Sequence, residues 1–139
     1  MNTKVLGVDF GLKRIGLAIG DFDISIASKF GVVLNKSDDY LIQEFGKIFN
    51  EWGIKMVIFG LPLNMSNKHK ENLVTKSLDK FVELLKNNFS DIKLNFMDER
   101  LSTFEAGEII EKNGFTHNDN KDSLAAQIIL QRWFDLNKI

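Results

Sequence analysis

Four acids stand at the ends of apolar stretches in this sequence. Asp9 follows VLGV, Asp98 and Glu99 follow IKLNFM, and Asp122 opens a helical pattern of apolar residues. Carboxylates brought together repel one another, and a bound cation keeps them ionised. For a set of hard oxygen donors that cation is Mg2+ or Mn2+, which keeps several waters and takes a few carboxylates plus substrate phosphate oxygens. Two such ions about 4 Å apart clamp an in-line phosphoryl displacement, one activating the water and the other stabilising the leaving oxygen. The chemistry expected of Asp9, Asp122 and one of Asp98 or Glu99 is therefore phosphodiester hydrolysis. Each acid also has a plainer explanation: a turn at Asp9, an ion pair at Glu99 beside Arg100, and a favourable helix-dipole position at Asp122.

Basic residues accompany the acids. Arg14 and Arg100 could hold phosphates through forked hydrogen bonds, and Lys13 could add a point charge. The alternative for Arg14 is an ion pair with Asp9 or Asp21. The polar stretch NMSNKHK (64–70) brings Lys68 and Lys70 to where a nucleic-acid strand could pass. His69 among those lysines is expected at the surface and not as a base.

These residues need elements to place them. Residues 4–10 and 14–20 read as two strands joined by GLK, a hairpin spacing, and FGVVLN near 30–35 reads as a third. Leu41, Ile42, Phe45, Ile48, Phe49 and Trp52 recur at helical steps, with Ser37 or Asp38 as cap. KMVIFG (55–60) is a buried strand, residues 68–89 a helix and 92–97 a strand. Ser102 with Glu105 makes a capping box for a helix to about Lys112, and Asp119 is the expected cap of a final helix. The order β-β-β-α-β-α-β-α-α predicts an α/β fold. Three antiparallel strands, continued by parallel βαβ crossovers, give a mixed five-stranded sheet with helices on both faces. Ligands of such sheets bind beyond the strand C-termini, where the acids lie.

Composition narrows the field. A chain of 139 residues suits one domain, 1–139, and its 44% hydrophobic and 27% charged residues are those of a globular protein. The absence of cysteine excludes disulfides, zinc-thiolate sites and thiol catalysis. No apolar run approaches the roughly 18 residues that span a bilayer, and the N-terminus enters a strand pattern at once, so a cytoplasmic protein without membrane contact is expected. A net charge of −1 is unlike proteins that coat nucleic acid through bulk charge, but it leaves room for a local basic patch.

Four stretches, VDFGLKRIGLAIGD (8–21), FGLPLNMS (59–66), DERLSTFEA (98–106) and KDSLAAQIILQRWFD (121–135), together resemble the YqgF family, also called RuvX, of bacterial RNase H-like nucleases. The resemblance runs in order over essentially the whole chain. It implies an RNase H-like fold related to Holliday junction resolvases, and a nuclease that matures the 5′ end of 16S ribosomal RNA. Carried over by motif, the metal-binding and catalytic acids are Asp9, Glu99 and Asp122. One departure stands out: in the resolvase relatives the second acid follows the fourth strand, whereas here that strand ends in GLPL, so Glu99 must reach in from the fifth.

The expected partner is pre-16S rRNA, with a ribosome precursor as its setting. Branched DNA is the alternative substrate, and a noncatalytic RNA-binding assembly module the alternative role. DFGLKRIG also looks like the first phosphate turn of actin-like ATPases and sugar kinases, but those proteins need two related domains. A monomer and a homodimer both fit the sequence.

Overall fold

The computed structural model describes residues 4–61, 68–98 and 119–137, with side chains for all of these but 61, 68–72, 98 and 119–121. Three strands come first, β1 (Lys4–Asp9), β2 (Arg14–Asp21) and β3 (Ile26–Leu34). They are followed by α1 (Asp38–Trp52), β4 (Met56–Leu61), α2 (Lys68–Asn88), β5 (Lys93–Asp98) and α3 (Asp119–Leu136). The expected helix at 102–112 lies outside the described residues. The strands form one sheet of order β3-β2-β1-β4-β5, antiparallel among the first three and parallel from β1 to β4 to β5.

Local chemistry sets the boundaries of α1. The Ser37 hydroxyl accepts from the Tyr40 N–H at 3.2 Å, which satisfies one of the orphan donors of the first turn. Gly53 ends the helix at φ 63°, ψ 38°, a left-handed cap that glycine adopts without steric cost. The third strand starts earlier than FGVVLN suggests. Its first half, Ile26–Lys29, buries only Ala27, lies at the sheet edge and is held by α3. The Gln127 and Gln131 amides donate to the Ala27 and Ser25 carbonyls, and Gln131 Oε1 accepts from the Ala27 N–H at 2.9 Å.

Alternation along the strands sends successive residues to opposite faces. Leu6, Val8, Ile15, Leu17, Val57 and Phe59 face α1 and α2, where Phe81 packs against Phe10, Phe45 and Phe59 in one aromatic cluster. Val5, Ala18, Ala27 and Ile58 face α3 and meet Ala126, Ile129, Leu130 and Phe134. The second layer is thin because small residues line it. A Cβ on Gly7 would stand 2.8 Å from the Leu130 Cβ, so the helix lies almost on the sheet backbone. Among the described residues, no helix is long and apolar enough to cross a membrane.

Candidate active site

Because β1, β4 and β5 are parallel, their C-terminal ends share one edge of the sheet, where Asp9, Leu61 and Asp98 stand. Asp9 is half-buried at the end of the central strand, whose preceding residues Val5, Leu6 and Val8 are buried. That strand is hydrogen-bonded on both sides, so it fixes the position from which the carboxylate projects. Its parity, shared with Val5 and Gly7, puts Asp9 on the α3 face.

The cross-strand partner of Asp9 is Gly16. A Cβ there would overlap the carbonyl oxygen of Asp122, so the first turns of α3 rest directly on this glycine. Asp9 and Asp122, far apart in sequence, therefore flank one residue that has no side chain. On the other side of Asp9, the β1–β4 register continues from Val8 and Phe59 to Gly60, which is also a glycine. The row across the sheet at the level of Asp9 thus carries a carboxylate between two glycines, and the Asp122 backbone fills the place a side chain would take at Gly16.

Asp122 is held from two directions. Arg14 Nε lies 3.5 Å from its Oδ2, an atom closed off from solvent. The neighbouring Ser123 is buried, and its hydroxyl donates to the Leu17 carbonyl at 2.9 Å, which pins the helix to β2. Arg14 thus meets the third acid, a contact that the sequence reading did not include, and Asp21 has Lys4 at 3.7 Å. The connection between Asp9 and Arg14 is tied down by Asn35, whose side-chain amide donates to the Gly11 carbonyl and whose N–H donates to the Lys13 carbonyl, both at 2.9 Å.

Ser123, Asn35 and Gly16 are the residues that sequence reasoning undervalued. Ser123 lay within a quoted motif, yet nothing local marks a serine as buried. Its removal is measurable: Ser123→Ala leaves the Leu17 carbonyl without this donor and should cost about 1 kcal/mol in urea unfolding. A change below about 0.3 kcal/mol would mean that this bond does not anchor α3.

Of the other expected site residues, Lys13 is exposed on the loop after Asp9. Lys68 and Lys70 belong to the first turn of α2, and nothing further of their placement is described. Glu99 and Arg100 lie outside the described residues. β4 separates β5 from β1, so the C-terminal end of β5 lies two strands from that of β1, about 10 Å at ordinary strand spacing. Among the described residues there is no group of three or more side chains able to hold a metal. The pair of hard carboxylate donors beside a row of glycines nevertheless fits a small divalent cation.

A mixed sheet of this order, with helices on both faces and acids at the shared C-terminal edge, is the RNase H-like fold of the junction resolvases. The structure superposes on Thermus thermophilus RuvC in complex with a Holliday junction substrate with a TM-score of 0.62 at 11% identity, covering 96% of this chain and 94% of that one. The fowlpox virus resolvase in complex with Holliday junction DNA gives 0.62 at 10% identity, covering 98% and 99%. Within that class the chain belongs to the RuvX family, described as Holliday junction resolvase, whose sequence pattern matches residues 3–136. Its relatives include proteins of Proteus mirabilis, 37% identical over 96% of both chains, and of Methylobacillus flagellatus, 34% identical over 94% of this chain and 90% of that one. A Buchnera aphidicola (subsp. Schizaphis graminum) relative is 39% identical over 96% of this chain and 97% of its own. All three are named as candidate pre-16S rRNA nucleases.

Proposed function

We propose that this protein is a cytoplasmic, single-domain (1–139), metal-dependent endonuclease that processes the 5′ end of pre-16S rRNA. The observation that carries the chemistry is the meeting of Asp9 and Asp122 across Gly16 at the open edge of the sheet. The names of the relatives support the substrate.

In this reading Asp9, Asp122 and Glu99 hold Mg2+ or Mn2+. Glu99 is taken as the second acid on the resemblance of its DER stretch to the family motif. The bound cation would supply an activated water and neutralise charge on the scissile phosphate. The protein contributes placement: β1 fixes Asp9, Ser123 fixes the turn bearing Asp122, and Arg14 orients the Asp122 carboxylate. Lys13, Lys68, Lys70 and Arg100 contact phosphates of the bound strand, and Arg14 does so from beside Asp122.

The family description and the resolvase likeness favour one second reading, cleavage of branched DNA. The test offers the protein a 16S precursor with its 5′ leader beside a four-way DNA junction, each in Mg2+, Mn2+ and EDTA. Cleavage of the RNA at the leader, abolished by EDTA, is the expected result. Cleavage confined to the junction would replace the rRNA reading with the resolvase one, and binding of precursor without cleavage in either metal would indicate a noncatalytic assembly role.

A further inference from the structure

Two half-exposed leucines stand at one corner of the sheet, near the acids and without a part in the site described above. Leu12 is 45% exposed on the loop between β1 and β2, and Leu34 is 44% exposed at the end of the edge strand β3. Leucines exposed singly are ordinary on a protein surface. These two are not placed singly, because one residue holds both. Asn35 directly follows Leu34 and grips the carbonyls on either side of Leu12, that of Gly11 with its side-chain amide and that of Lys13 with its N–H, both at 2.9 Å. The loop is tight as well, since a Cβ on Gly11 would overlap the Arg14 carbonyl oxygen.

The strand register fixes the face. Leu34 is the cross-strand partner of Arg14, and directly paired residues project to the same side of a sheet. Arg14 reaches Asp122 of α3, so Leu34 also stands on the α3 side, next to the guanidinium stem and toward the sheet edge. From Asp9, Leu34 lies two strands across, about 10 Å, and two residues farther along, about 7 Å. Outward from the acids the corner therefore offers Arg14, then Leu34, with Lys13 and Leu12 on the loop tied to it.

Cations beside exposed apolar side chains match the two halves of a nucleotide, an anionic phosphate and a base with apolar faces. In a duplex those faces are covered by the stack, whereas an unpaired strand can lay a base on an apolar surface while its phosphates meet nearby cations. We propose that Leu12 and Leu34 are the apolar rest for an unpaired nucleotide of the substrate strand, next to the acids, and that they make the protein select an unpaired strand over a duplex. Arg14 and Lys13 take the phosphates on either side of that nucleotide. Asn35 is the positioning residue of the surface, holding the Leu12 loop against the end of β3. The proposal deepens the RNA nuclease reading and rests on it for the ligand, but it concerns binding and not metal or cleavage.

The test measures affinity for a fluorescently labelled leader RNA in EDTA, unpaired and annealed to its complement, with wild type, Leu12→Ser/Leu34→Thr and Leu12→Met/Leu34→Met. Both positions are half-exposed and threonine suits an edge strand, so the polar variant should fold, which its urea midpoint checks. Covering the exposed remainder of two leucines corresponds to affinity on the order of tenfold. The polar variant should therefore bind unpaired RNA about tenfold more weakly than wild type and bind the duplex as wild type does. Its salt dependence should stay that of wild type, because an apolar contact releases no counterions. The methionine variant, which keeps an apolar side chain of similar volume, should stay within about twofold of wild type. An unchanged preference for the unpaired strand in the folded polar variant, or an equal loss on both RNAs, would overturn the proposal and leave the nuclease reading standing. Equal wild-type affinity for the two RNAs would do the same, and a wild type that binds neither would overturn both readings.

Discussion

Asp9→Asn should lower metal-dependent cleavage more than about 100-fold and leave the fold as stable as before. The substitution keeps the shape of the side chain and removes one charged oxygen donor. Even residues that merely support a metal ligand cost 10–100-fold when lost, so a ligand itself should exceed that range. Stability should be nearly unchanged, because the substitution keeps the shape of the side chain and leaves the buried residues of β1 in place. A second readout does not depend on turnover. A cation bound to the native state at 100 times its dissociation constant stabilises it by about 2.7 kcal/mol, so Mn2+ should raise the wild-type Tm by several degrees and the variant's hardly at all. Equal metal-induced shifts in both proteins would remove Asp9 from the site.

The second large effect is expected from a residue with no functional group. Gly16→Ala places a methyl group on the backbone of Asp122, and neither the strand nor the first turns of α3 can yield as a flexible side chain would. Overpacking of this kind costs roughly 1–3 kcal/mol, or more where backbone must move. In a chain of this length that corresponds to a fall in Tm on the order of 5–15 °C. Gly7→Ala is the proper comparison, since its Cβ would meet Leu130 and Ala126 farther along the same helix. Both variants should lose stability, but at a temperature where both are folded only Gly16→Ala should also lose cleavage and the metal-induced Tm shift. If the two variants behave alike, Gly16 serves packing and not the placement of Asp122.

This pair of glycines marks where sequence reading reached its limit. The order of strands and helices was legible because hydrophobic periodicity is local: α1 falls on Asp38–Trp52 with Ser37 as its cap, and the two buried strands β1 and β4 end where their apolar runs end. The start of β3 was not, because Ile26–Lys29 owes its strand conformation to β2 and to glutamines about a hundred residues later. Asp9 and Asp122 were individually legible as acids at element ends, yet their proximity depends on Gly16 accepting the helix backbone, a tertiary contact that no periodicity reports. The contact of Arg14 with Asp122 was missed for the same reason: the acids near it in sequence are Asp9 and Asp21, while the fold adds Asp122 at 3.5 Å.

The clamp that α3 places over the sheet also sets an order of events during synthesis. Asp9 leaves the ribosome more than a hundred residues before Asp122, which lies on the last described helix, and that helix packs on β1, β2 and β3 together. Until α3 docks, the emerging chain carries an acid-tipped strand with no second carboxylate beside it and a glycine-lined face open to water. On the proposed reading, the pair of acids would be brought together only once this helix has docked on the three strands.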